Sequence, residues 1–231
     1  MRICVLGNSH AGCINLGWQR CKSRSPEINL TFFASPGGLG GLNALSLEGT
    51  TLQPKSDPLR ESLRFTSGGL TAVDLLAFDA FLLIGLGFSI PDIGIGLSES
   101  VVKATLADSY LCSNSFRLAS YIRGVTRVPV FVFHTPQPAF RPSSARDEGL
   151  LAYDSVFKQL VSDPLNMSLS FLQQPHETFA DTWFTQRHLS VGSRKLNIGD
   201  ADSQVEHDEK DSIHMNADFG EIVIKHFLTQ L

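Results

Sequence analysis

Residues 78–85, Phe-Asp-Ala-Phe-Leu-Leu-Ile-Gly, constrain most strongly what this chain can fold into. The run is almost continuously apolar, so neither face suits water, and such a strand belongs in a parallel sheet covered on both sides by helices. Ile3–Leu6, Ile28–Ala34, Val128–Phe133 and Leu169–Leu172 read as further strands. Between them the apolar spacing becomes helical: from Ala11 to about Ser23, then over Leu70–Leu76, Glu99–Leu111, Phe116–Ile122, Arg146–Val161 and Asn216–Leu231. This alternation predicts an α/β fold, a three-layer α/β/α sandwich around a central parallel sheet of about five strands. Ligand sites in such folds lie at the carboxyl ends of the strands. The length, 231 residues, predicts one domain spanning 1–231.

Other stretches are less regular. Residues 44–66 suggest a small hairpin around Gly49 and a short extended piece at Leu63–Thr66. The Gly- and Pro-rich segment 85–96 predicts an exposed loop at the carboxyl edge. Residues 174–213 form a polar connection longer than ordinary loops, which points to a functional segment.

Composition excludes some functions. A net charge of −4 leaves no basic footprint for nucleic acid. No apolar run approaches the roughly 20 residues that span a bilayer. The first residues lack the charged-then-apolar order of a signal peptide. Cys4, Cys13, Cys21 and Cys112 form no CxxC pair, so free thiols in a cytoplasmic protein are expected.

Two blocks carry chemistry. The chain begins Met-Arg-Ile-Cys-Val-Leu-Gly-Asn-Ser-His-Ala-Gly, a strand that stops at Gly7-Asn8, presents Ser9 and enters a helix. Such a junction fixes a hydroxyl at a sheet edge and leaves N–H groups at a helix N-terminus without partners. A nucleophile needs the first property and an oxyanion the second. Near the other end, Asp211-Ser-Ile-His214-Met-Asn216 sets an acid and an imidazole three residues apart before the last helix. Taken singly, Ser9 could be a helix N-cap and the Asp–His pair a surface feature.

Together, in this order and at these positions, the Gly-Asn-Ser-His and Asp-x-x-His-Met-Asn blocks resemble the SGNH (GDSL-like) hydrolase superfamily. The resemblance implies a flavodoxin-like sandwich with Ser9 as nucleophile, His214 as base and Asp211 as its orienting acid. It also implies an oxyanion donor at Gly37 or Gly38, in the glycine-rich loop Gly37–Gly41. The family's Gly-x-Asn-Asp block would fall at Gly85-Leu86-Gly87-Phe88, where no asparagine stands. Asn114 and His134 are candidate substitutes, and Gly87 is a further candidate for oxyanion or substrate binding. The substrate expected from the resemblance is a small-molecule or carbohydrate ester, without a cofactor, and Phe88, Trp183 and Phe184 could stack on a sugar, and equally meet a lipid or simply pack. An acyltransferase would use the same triad, and a non-catalytic binder of a glycan or protein would keep the fold without the chemistry. A flavodoxin-like nucleotide binder is a weaker alternative. Gly7-x-x-x-x-Gly12 lacks the Lys-Ser/Thr of a phosphate loop. His10 is expected to shape the turn or line the pocket, and His207-Asp208-Glu209 has no recognisable metal spacing.

Overall fold

The computed structural model describes residues 1–37, 41–140, 150–161, 168–199 and 205–231. β1 (Arg2–Gly7) leads into α1 (Ala11–Cys21), followed by β2 (Asn29–Ala34), β3 (Leu45–Glu48) and β4 (Thr51–Pro54). Next come α2 (Asp57–Ser67), β5 (Val73–Asp74), β6 (Ala80–Ile84), α3 (Glu99–Leu111), α4 (Asn114–Val125) and β7 (Val130–Phe133). The chain continues through α5 (Tyr153–Val161), β8 (Ser170–Leu172) and α6 (Ala217–Leu228).

Five strands form a parallel sheet in the order β2-β1-β6-β7-β8. Alternation along each strand sorts side chains to two faces. Ile3, Val5, Leu82, Ile84, Phe131 and Phe133 join α1 and α6 in one core. Cys4, Leu6, Phe81, Leu83, Val130 and Val132 join α2, α3, α4 and α5 in the other. The fold is therefore an α/β/α sandwich with a five-stranded parallel sheet. The strand order had to come from the tertiary structure. The chain runs outward from β1 to β2 and returns to β6 on the other side of β1, so the sheet's switch point lies at the carboxyl ends of β1 and β6, where crevices open in such sheets.

The hairpin around Gly49 is present as β3 and β4, and β5 extends it to a small antiparallel sheet. Four expectations are corrected. Leu63–Thr66 is helical, within α2, where the Ser56 side chain caps the first turn and Gly68 in the left-handed region ends the last. Leu70–Leu76 is not a helix: Val73 and Leu75 are buried, Leu70 and Leu76 are exposed, and Val73 pairs with Leu52. Segment 85–96 is exposed only in part: Leu86, Phe88, Ile90 and Ile93 are buried in the core that also holds residues of α3 and α4, whereas Ile95 is exposed. The helix expected from Arg146 begins, among the described residues, at Tyr153; Leu150 instead bridges to Gly94.

α1 and α6 cross at two glycines. A Cβ on Gly220 would overlap the Cys13 carbonyl, and one on Gly17 would overlap the backbone at Gly220 and Glu221. The contact seats α6, and with it the segment before it, against the first helix. Cys4, Cys13 and Cys21 are buried free thiols, and Cys112 is an exposed one. Among the described residues no helix is long and apolar enough to cross a membrane.

Candidate active site

Ser9 stands in the turn between β1 and α1. Gly7 makes this turn possible, because a Cβ there would lie 2.6 Å from that of Ala11. The Asn8 side-chain oxygen accepts the His10 N–H at 3.1 Å, closing an Asx turn around Ser9. Across the switch point Gly85 adopts φ +68°, and a Cβ there would lie 2.8 Å from Asn8 Oδ1 and 3.1 Å from the His10 ring. The absence of a side chain at Gly85 thus seats both neighbours of the serine. The N–H of Ser9 has no protein acceptor among the described residues.

The second half of the site comes from the segment before α6. Asn216 caps that helix through Oδ1, which accepts the N–H groups of Asp218 and Phe219. Its Nδ2 donates to the carbonyls of His188 and Val191 at 2.7 and 2.9 Å. Arg187 reaches under the same loop to the carbonyls of Glu209 and Asp211. With buried Met215 as an apolar anchor, these contacts fix the Asp211–His214 turn.

His214 Nε2 lies 3.0 Å from Ser9 Oγ, and Nδ1 lies 2.8 Å from Asp211 Oδ2. Burial opposes the charge on Asp211, but the N–H groups of His214 and Ile213 and the His214 ring bring its pKa down to about 2. Asp211 is then an ionised acceptor, so Nδ1 carries the ring proton and Nε2 turns its lone pair to the Ser9 hydroxyl. The arrangement can take a proton from Ser9 and return it.

Neither a family model nor a curated protein matches this sequence. Among solved structures, the periplasmic domain of the lipopolysaccharide acetyltransferase of Salmonella ser. Paratyphi A is similar to this chain, with a TM-score of 0.49 and 10% sequence identity. The match covers 99% of this chain and 82% of that one.

The other expected site residues fare differently. Gly37 has open space around it and Gly38 lies outside the described residues. Gly87, at φ +77°, follows Leu86, itself at φ +56°, in a tight turn after β6. Asn114 donates its N–H to the Leu86 carbonyl and gives its side-chain oxygen to Arg117, so it braces that turn. His134 is corrected: it is fully buried and both ring nitrogens are engaged. Nδ1 donates to the Thr135 carbonyl at 2.6 Å, and Nε2 accepts from the Tyr153 hydroxyl at 2.7 Å. For Phe88, Trp183 and Phe184 the packing alternative holds, since all three are buried and expose no face for a sugar.

Sequence reasoning weighed His207 only as part of the run His207-Asp208-Glu209 and gave it no place beside the Asp211–His214 pair; its ring stacks on His214 at 3.8 Å with planes 5° apart. The one available signal was spacing: His207, Asp211 and His214 lie four and three residues apart. Ligand atoms of these three residues lie within 4.8 Å of one another. Imidazole lone pairs lie in the ring plane, however, and two parallel stacked rings cannot both aim theirs at one ion. The cluster as built suits a proton rather than a metal. His10 also lies against His214, at 5.3 Å between centroids.

Burial and, for His10, the adjacent His214 keep two imidazoles neutral, with pKa values lowered from 6.5 to about 3 for His10 and about 4 for His134. Between pH 6.5 and 4 the unfolded chain takes up protons that both folded rings refuse. Stability should therefore be present above pH 6.5 and fall with pH below it, by up to about 1.4 kcal/mol per pH unit for each ring. Urea unfolding at pH 7, 6 and 5 measures the slope; a flat profile would contradict it.

Proposed function

We propose that this protein is a serine-dependent ester hydrolase or acyltransferase of the SGNH type. The observation that carries the reading is the unbroken chain from Ser9 Oγ to His214 Nε2 at 3.0 Å and from His214 Nδ1 to Asp211 Oδ2 at 2.8 Å. Serine is a weak nucleophile at its own pKa and needs a base within hydrogen-bond reach. In this reading Ser9 Oγ adds to an acyl carbonyl while its proton passes to Nε2. The carbon–oxygen bond to the leaving group then breaks as His214 returns the proton to the departing oxygen. Water or an acceptor hydroxyl, deprotonated by His214, takes the acyl group from Ser9 in the second half. Asp211 holds the tautomer and offsets the charge of the imidazolium.

The Ser9 N–H at the head of α1 is the first oxyanion donor in this reading, and Gly37, Gly38 and Gly87 remain candidates for a second. The resemblance of the two end blocks favours O-acyl, in particular O-acetyl, groups of a carbohydrate as substrate. The missing asparagine at 85–88 motivates the second reading, a protein that binds such a ligand at the same edge without turning it over.

A fluorophosphonate probe separates the two. Wild type is expected to be labelled at Ser9, with Ser9→Ala and His214→Ala unlabelled. Absence of label on wild-type protein that retains its circular dichroism would reject the catalytic reading and leave the binding one.

A further inference from the structure

A general base has to be held in line with the hydroxyl it serves, and the triad alone does not do this for His214. Hydrogen bonds at Nδ1 and Nε2 hold the ring along the line that joins the two nitrogens, and it can still tilt about that line. His214 also stands on a connecting segment, beside exposed Ile213, with 24% of its own side chain accessible. Something else must set the plane of the ring.

We propose, on the basis of the triad reading above, that His207 is a positioning residue that fixes the plane of His214 by stacking against it. The rings lie 3.8 Å apart and within 5° of parallel, closer and flatter than the His10–His214 pair at 5.3 Å and 26°. The backbone that carries His207 is itself anchored. Its N–H donates to the carbonyl of buried Ser193 at 2.9 Å, and Lys195 N–H donates to the Val205 carbonyl at 2.8 Å. Arg194 and Glu206 form the bridge between these two bonds. A short antiparallel ribbon therefore lays His207 over the base. His207 Nδ1 lies 3.5 Å from the same Asp211 oxygen that serves His214, and Nε2 is buried with no partner among the described residues.

The electrostatics agree with this geometry. Four titratable groups bear on the His214 ring or on its stacking partner: His207, Asp211, His10 and Lys195. Burial, then His214 and Lys195, lower the proton affinity of His207 against the opposing pull of Asp211. His10 is held neutral in the same way. When His214 takes the serine proton, the resulting cation meets neutral ring faces rather than a second positive charge.

The test uses the full chain and three variants. His207→Phe keeps a flat ring, while His207→Ala and His207→Asn remove it. Thermal unfolding of each variant confirms that it folds before it is scored. Two quantities are read: the rate of fluorophosphonate labelling at Ser9, and the low-field proton resonance of His214 Nδ1–H. We expect His207→Ala and His207→Asn to be labelled about tenfold more slowly with the resonance broadened, and His207→Phe to recover most of both. If His207→Ala matches wild type in both, or His207→Phe fails as badly as alanine, the proposal is wrong. The two readings fail separately. Wild type that takes no label, but loses the resonance on His207→Ala, overturns the catalytic reading and keeps the positioning role.

Discussion

Ser9→Ala and His214→Ala are each expected to lower the turnover of p-nitrophenyl acetate by about a thousand-fold or more. The reason, on the proposed reading, is the single hydrogen-bonded unit they share: without Oγ there is no nucleophile, and without Nε2 at 3.0 Å there is no acceptor for its proton. Because the two act as a unit, the double variant should be hardly worse than either single one. Asp211→Asn should also be severe, although it changes no charge on the base. An amide in place of the carboxylate must still accept the His214 and Ile213 N–H groups, both of which use Oδ1. Its amino group then faces Nδ1, which forces the ring proton onto Nε2 and presents Ser9 with a donor instead of an acceptor. Initial rates for wild type and the four variants, with background hydrolysis subtracted, check all three statements. Equal slow rates throughout would mean that the observed hydrolysis does not arise at this site.

The second large effect concerns the fold. Gly220→Ala or Gly17→Ala should destabilise the protein by about 3 kcal/mol or more, because the added methyl meets backbone rather than a side chain that can move. α1 and α6 would be forced apart, and since Asn216 caps α6 two residues after His214, the serine and its base should separate as well. Gly124→Ala supplies the control. Gly124 lies in α4, is exposed, and has nothing within 4 Å of its Cβ position. There the same substitution should stabilise by up to about 1 kcal/mol through the unfolded chain. Urea unfolding of the three variants reads both signs. Similar small effects at all three positions would show that the helix crossing tolerates a wider separation.

The strands were legible because burial on two faces writes an unmistakable pattern: Ala80–Ile84 carries no polar residue, and Val130–Phe133 none either. Ser9 and the Asp211–His214 pair, which the structure brings together, were legible for a different reason, since they sit in short local blocks at strand and helix ends. Local patterns failed where packing chose between two periods. Leu70–Leu76 has enough apolar residues for a helix, but pairing with β4 buried alternate ones. They failed again at His134, whose place at the end of β7 suggested the site edge, while its rotamer carried the ring inward to Tyr153.

Amino-acid order alone thus determined the alternation of strands and helices, the strand–turn–helix that presents Ser9, and the spacing of Asp211 and His214, all of which depend on residues a few positions apart. Only the tertiary structure decided that Ser9 and His214, 205 positions apart in the chain, come within 3.0 Å, that Gly17 and Gly220 let the two end helices touch, and that His207 lies flat on His214. Those are contacts between segments remote in the chain or set by ring orientation, and no local propensity encodes them, because their energy exists only once the sheet has brought both sides together.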